Sequence, residues 1–235
     1  MQTTTQAIVL SKINFGEADW IVKIYTKEFG ICSFLVKGIR KSKSKKFRPS
    51  YFQVLTILDL NFNYRENKNL QYLTEARPAE VLNNLHLDFG KTSMVYFLAE
   101  ILSQSIIEES KDEALFAFLK DEILQLEKEE NYQNFHLNFM LKLTKFLGFY
   151  PDFSLDEFPY FNLVEGEFQL KPTTNYCFAD ENVSLLKSFH YSNHKEIRLN
   201  KEKRNAFIDF LILYYEVHLQ GFKKPKSLEV LRGLF

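Results

Sequence analysis

Residues 7–38 read AIVLSKINFGEADWIVKIYTKEFGICSFLVKG. Apolar runs rich in Ile, Val and aromatic residues alternate here with short polar turns. Ala7–Phe15 runs into the turn Asn14–Phe15–Gly16–Glu17, Trp20–Thr26 ends at Glu28–Phe29–Gly30, and Ile31–Lys37 ends at Gly38. Such runs between Gly-bearing turns predict three strands. Downstream, Tyr51–Tyr64 predicts a long fourth strand. Phe52, Val54, Leu58, Leu60 and Phe62 take one face, while Asp59, Asn61 and Asn63 take the other, the alternation of a half-buried strand. Arg65–Asn69 is a polar turn, and Leu70–Ala76 is the fifth strand. Five short strands in roughly 75 residues fit a small closed barrel of the OB type.

Past Arg77–Pro78 the period changes, and Pro is acceptable at a first helical position. Val95, Leu98, Leu102 and Ile106 step by three or four. So do Leu115, Phe118, Leu119, Ile123 and Leu126, then Tyr132, Phe135, Phe139, Leu143 and Phe146, then Phe207, Phe210, Leu211, Tyr214 and Val217. Gly148 and Pro151 stop the third stripe, and Gly221 stops the fourth. Leu228–Leu234 predicts a last turn or two. Tyr150–Asn193 reads as irregular, with one short hairpin joining Tyr160–Leu163 to Phe168–Leu170. The expected fold class is α+β: a five-stranded barrel over 1–77, then a helical domain over 78–235 with an irregular, zinc-less insert at about 150–193.

The 235 residues suffice for a sizeable core, and the 24 Phe must mostly sit in it. No apolar run reaches the length of a membrane-spanning helix, and the start MQTTTQAIVLSK lacks the features of a signal peptide. Cys32 and Cys177 read as free thiols in a reducing compartment, so a cytoplasmic protein is expected. The zero net charge conceals an asymmetry. Residues 1–80 carry thirteen Lys and Arg against seven Asp and Glu, which suggests that the N-terminal part faces a polyanion.

The densest chemical signal is Lys37–Arg48, KGIRKSKSKKFR, which holds no acid. Lys37, Arg40, Lys41, Lys43, Lys45, Lys46 and Arg48 make it a candidate phosphate clamp, since cations that reach phosphates release condensed counterions. Phe47, Tyr51 and Phe52 follow directly, and aromatics beside cations let bases stack. Phe52 is in register with Val54 and Leu58 and reads as core; Tyr51 faces the other way and is the stacking candidate. Trp20 reads as barrel core, with a second stacking platform as the alternative. The competing reading is a merely solvated lysine loop, with Phe47, Tyr51 and Phe52 as strand or core residues.

Catalytic signatures are missing: the chain has no GxxxxGK[ST], GxGxxG, HExxH or GxSxG. His190 and His194, four apart, have the spacing of metal ligands on one helix face, but no second pair supports them. Glu108–Glu109 and Glu127–Glu130 read as solvated helix surface rather than a metal-dependent nuclease site. An enzyme is not expected.

Ala7–Leu10, Phe15–Gly16–Glu17–Ala18–Asp19, Tyr25–Thr26–Lys27–Glu28–Phe29–Gly30, Val36–Lys37–Gly38–Ile39–Arg40–Lys41–Ser42 and Leu147–Gly148–Phe149–Tyr150–Pro151 occur in this order. The ordered set resembles the bacterial recombination mediator family of DNA repair protein RecO, over essentially the whole chain. The resemblance implies an OB-fold that binds single- and double-stranded DNA and anneals complementary strands. It also implies work with RecR in the RecF pathway, so that RecA loads on single strands covered by single-strand-binding protein, whose acidic C-terminal tail docks on the helical domain. DNA contacts would fall to Lys37, Arg40, Lys41 and the lysines that follow, in a cytoplasmic, nucleoid-associated protein that is a monomer when free. Many members carry two Cys-x-x-Cys pairs after the Leu-Gly-Tyr-x-Pro stop. Here only Cys177 stands in that region, so four-thiolate zinc is excluded and no cofactor is expected. Phe153, Phe158, Tyr160, Phe161 and Phe168 are expected to replace the metal with an apolar cluster. Lys142, Lys145, Lys203, Arg204, Lys223, Lys224 and Lys226 are the cations available to hold an acidic tail. The competing expectation is an OB-fold protein–protein adaptor that never touches DNA.

Overall fold

The computed structural model describes residues 2–41, 47–106 and 111–235. By packing, the chain divides into two compact units, Met1–Lys128 and Glu129–Phe235.

The first unit is built on a closed barrel of β1 (Gln2–Phe15), β2 (Asp19–Thr26), β3 (Gly30–Val36), β4 (Ile57–Asn63) and β5 (Leu70–Pro78), in the order β1-β2-β3-β5-β4. β1 serves two neighbours because it is long and irregular. Gln2–Ile8 pairs with β4, Ala7–Phe15 pairs with β2, and the register shifts between Val9 and Ser11. Such a bulge bends a strand and increases its twist, as closure requires. Three parallel pairs, Ser33 with Leu70, Phe34 with Gln71 and Leu35 with Tyr72, complete the ring. Ala7, Val9, Val22, Ile24, Phe34, Val36, Leu58, Leu60 and Phe62 fill it.

The predicted fourth strand is shorter than its pattern suggests. Pro49–Phe52 forms a 3-10 turn instead, and β4 begins only at Ile57. Pro49 has no N–H to give to a ladder, and Leu55 adopts a φ of 60°, which no strand tolerates. The Leu55 N–H donates to the Val9 carbonyl, and the Val9 N–H donates to that of Thr56. The turn therefore occupies the backbone groups that the bulge leaves over.

Helices α1 (Asn84–Leu87), α2 (Phe89–Ser105) and α3 (Glu113–Lys128) belong to the same unit. α2 packs on β1, so Ile8 and Leu10 are buried as well as Ala7 and Val9; a strand covered on both faces shows no alternation. The Tyr25 hydroxyl donates to the Asp112 carbonyl, and its ring lies 6.1 Å from that of Phe116. Glu127 corrects the expectation of a solvated acidic surface. It is 9% exposed, and its carboxylate accepts the backbone N–H groups of Asn83, Asn84 and Leu85 at 2.9–3.0 Å. These are orphan donors at a helix start. Glu127→Ala is expected to destabilise this unit by about 2 kcal/mol, because the buried Leu85 N–H and the part-buried N–H groups of Asn83 and Asn84 lose a charged acceptor. A urea titration followed by circular dichroism checks this; a shift worth under about 0.5 kcal/mol, the range of an ordinary surface change, would refute it.

The second unit holds α4 (Phe135–Leu147), a small sheet of β6 (Tyr160–Asn162), β7 (Glu167–Gln169) and β8 (Cys177–Phe178), then α5 (Glu181–Tyr191), α6 (Lys201–His218) and α7 (Leu228–Leu234). α4 stops at Gly148, whose φ is 82°, a conformation that glycine enters without strain. The expected hairpin is present, with Phe161 opposite Phe168, and β8 pairs on its other side. α5 was not expected; it occupies the end of the stretch read as irregular. Phe161 and Phe168 are buried with rings 5.0 Å apart, and Phe153 lies 5.6 Å from Phe168. The cluster is extended by Phe210 and Tyr214 against Phe161, and by His190 stacked on Phe153 at 3.7 Å. Phe158 and Tyr160 stay half-buried.

Candidate nucleic-acid interface

The basic segment leaves the barrel at the end of β3 through a fixed turn. Gly38 has a φ of 67°, which favours a residue without a Cβ. Its N–H donates to Asp19 Oδ1 at 2.8 Å, and the Arg40 N–H donates to the Ala18 carbonyl at 3.0 Å. The β1–β2 turn and the start of the basic segment are thus stitched together. Between these two bonds, Ile39 is 2% exposed and joins the barrel core.

Where the description resumes, Phe47 is also core, 7% exposed, with its ring 6.1 Å from that of Phe52. Of the two readings open to Phe47, a ring beside the bases or a core residue, the structure gives the second, an apolar anchor. Two buried side chains, Ile39 and Phe47, therefore fix the segment at both roots. Burying each contributes about 1.5–3 kcal/mol.

Around the anchors, Lys37, Arg40, Lys41 and Arg48 are exposed, and among the described residues none of the four forms an ion pair. The carboxylate of nearby Asp19 already accepts the Gly38 N–H. The structure thus brings together four cations with little to neutralise them. Lys43, Lys45 and Lys46 lie outside the described residues. Tyr51 is half-buried and packed against the barrel core, so its ring offers less surface than expected.

Sequence reading missed a better-placed aromatic. Tyr72 on β5 is 48% exposed, and the Lys37 ammonium lies 5.2 Å from its ring centroid. The parallel β3–β5 pairing makes this neighbour; nothing local in the sequence signals it. On the other side of β3, Trp20 pairs with Val36. Its indole N–H donates to Asn14 Oδ1, and the Lys12 ammonium lies 4.5 Å above its ring. Burial lowers the Lys12 pKa.

The other candidates have structural work. His190 and His194 do not share a helix face, because α5 ends at Tyr191. His190 Nδ1 is bonded to the Tyr150 hydroxyl at 2.8 Å, and His194 Nε2 to Glu129 Oε1 at 2.8 Å. Among the described residues no group of three His, Cys, Asp or Glu is placed to hold a metal. Glu129 is buried, another correction to the solvated reading, while Glu108 and Glu109 lie outside the described residues. Arg204 is no surface cation either. It is 6% exposed and donates to Asn134 Oδ1, to the Leu199 carbonyl and to a main-chain oxygen of Phe235. Lys203 pairs with Glu181, Lys224 lies 3.7 Å from Glu229, and the Lys145 ammonium lies 4.4 Å from the Tyr150 ring centroid. Both cysteines are free thiols, and among the described residues no helix is long and apolar enough to cross a membrane.

Comparison with known proteins gives a consistent result. The family model described as recombination protein O N terminal matches residues 1–82, and the one described as recombination protein O C terminal matches residues 86–229. The chain is 43% identical to a DNA repair protein RecO of Christiangramia forsetii, over 98% of each chain. It is 38% identical to that of Flavobacterium psychrophilum and 32% identical to that of Phocaeicola vulgatus, over the full length of each.

Proposed function

Because this chain belongs to the recombination protein O family of DNA repair proteins, we propose that it is a DNA-binding recombination mediator without enzymatic activity. In this reading it binds single- and double-stranded DNA through the barrel and anneals complementary strands. With RecR it helps RecA load on strands covered by single-strand-binding protein, in the cytoplasm at the nucleoid. The observation that carries the reading is the group of exposed cations, Lys37, Arg40, Lys41 and Arg48, next to the buried anchors Ile39 and Phe47. Lys43, Lys45 and Lys46 belong to the same proposed clamp, with Tyr51 at its edge.

Annealing forms no covalent bond. Two strands repel through their phosphates, and a surface that neutralises them lowers the cost of encounter. Holding bases unpaired on aromatic rings keeps them ready to pair. The acidic tail of single-strand-binding protein would meet the second unit, where Lys142, Lys145, Lys203, Lys223, Lys224 and Lys226 are the candidate cations; the buried Arg204 is withdrawn from that set.

Two complementary labelled oligodeoxynucleotides test the reading. The protein is expected to speed their annealing above the spontaneous rate at low salt, with the gain lost at high salt. An adaptor that never touches DNA leaves the rate at its spontaneous value throughout, and that result would replace the mediator reading.

A further inference from the structure

Beside the clamp, the outer face of β3 continues into a cleft. Ser33 and Ile31 on the strand and Lys37 just past its end face outward, with Leu35 in the same register but only 7% exposed, while Val36, Phe34 and Cys32 belong to the barrel core. Tyr72 stands next to Leu35 on the neighbouring strand, and Gln71 and Leu70 stand next to Phe34 and Ser33. Past Tyr72 the surface sinks into a cleft of about 410 Å³ bounded by Ser33, Ile31, Gln71, Lys23 and Lys68. That volume is within the range of small-ligand sites.

Its walls are held in place. Gln71 is 4% exposed, accepts from the Arg65 N–H and donates to the Arg65 and Lys68 carbonyls, fixing the β4–β5 turn. Tyr64, also on the wall, stacks on Phe29 with ring centroids 4.3 Å apart. The Lys23 ammonium donates to the Ser103 carbonyl. Lys68 is exposed, and Glu66 adds one negative charge against the two lysines.

Resting on the DNA-binding reading above, we propose that this face is a single-strand track: a base stacks on Tyr72, Lys37 takes an adjoining phosphate, and the next nucleotide enters the cleft with its phosphate at Lys68. The chemistry selects single strands. Stacking on a side chain needs an unpaired base, and a duplex keeps its bases inside its own stack, so it engages only the clamp cations. From Lys37 to Ile31 the track is about 20 Å long at 3.3 Å per residue. That places it at the short end of what one OB barrel covers, about 4 nucleotides.

Affinity for an oligodeoxythymidylate and for a duplex of matched length, measured by fluorescence anisotropy with the full chain, tests the track. Tyr72→Ala is expected to weaken single-strand binding about five- to a hundredfold and to leave duplex binding within about twofold. Tyr72→Phe should bind like wild type, because stacking uses the ring and not the hydroxyl. Lys68→Glu should weaken single-strand binding and flatten its salt dependence by roughly one phosphate contact. If Tyr72→Ala weakens both DNA forms equally, or Tyr72→Phe fails to retain binding, the track is wrong. If wild type binds while Tyr72→Ala and Lys68→Glu change nothing, the track falls and the clamp stands. If wild type binds no DNA at low salt, the mediator reading falls with it.

Discussion

Reversing three charges together, R40E/K41E/K45E, is expected to weaken single-stranded DNA binding on the order of a hundredfold at low salt and to flatten its salt dependence. Three to five phosphate contacts in the clamp correspond to a slope of log affinity against log salt of roughly −2 to −3.5, at about −0.7 per contact on a single strand. Removing three contacts takes the slope to between zero and about −1.5. The change should leave the fold alone. Arg40 and Lys41 are exposed, and Arg40 holds the barrel through its backbone N–H, which glutamate retains. The neighbours that fix the segment, Ile39 and Phe47, are untouched. Anisotropy titrations of a labelled oligomer from low to physiological salt read both quantities. Equal affinity and equal slope in the two proteins would move DNA to another surface.

The barrel was legible because its strands carry local signals. Gly16, Gly30 and Gly38 all have positive φ and cut the chain where the apolar runs stop. The error at Tyr51–Phe52 has a local cause too. Alternation from Phe52 to Phe62 fits a strand, but Pro49 and Leu55 override it, and the pattern holds only from Ile57. α5 was legible and overlooked. Asp180 caps it through the Asn182 N–H, and Val183, Leu186 and Phe189 are buried at helical spacing.

The cations of the site were legible as composition, whereas the anchors and the aromatic were not. Ile39 and Phe47 look like ordinary members of a basic stretch until the barrel core receives them. Tyr72 meets Lys37, 35 residues away in the chain, only through a parallel pairing of strands. Glu127 and Glu129 failed for the same reason. A charged residue in a helical run reads as surface, and its burial is decided by partners elsewhere: Asn83 to Leu85 for Glu127, His194 for Glu129.

The second unit should lose stability as pH falls below about 6.5, and His136 should be the largest single cause. The side chain is 2% exposed in α4, beside the ring of Phe235. Burial, with the charge of Arg204 second, lowers its pKa from 6.5 to about 3. Arg204 itself has its pKa lowered by burial, and its positive charge, held by Asn134 Oδ1 and the Leu199 carbonyl among others, disfavours a second one nearby. The sign follows from proton counting. The folded form keeps His136 neutral down to about pH 3, whereas the unfolded chain takes up a proton below its ordinary value. Stability from this group is therefore complete above pH 6.5 and lost as pH falls towards 3, reaching a loss of about 2 kcal/mol at pH 5. Urea midpoints from pH 7.5 to 5 measure it. His190 also has a lowered value and pushes the same way in this unit, so the slope of wild type alone does not isolate one residue. His136→Leu does, because His190 is common to both proteins and cancels in the difference. The variant is expected to be less stable at pH 7.5, having lost a shape-matched side chain, yet to lose about 2 kcal/mol less between pH 7.5 and 5. Parallel pH curves for the two proteins would show that His136 takes up its proton in the folded state too, and that the Arg204 network opens to water before the unit unfolds.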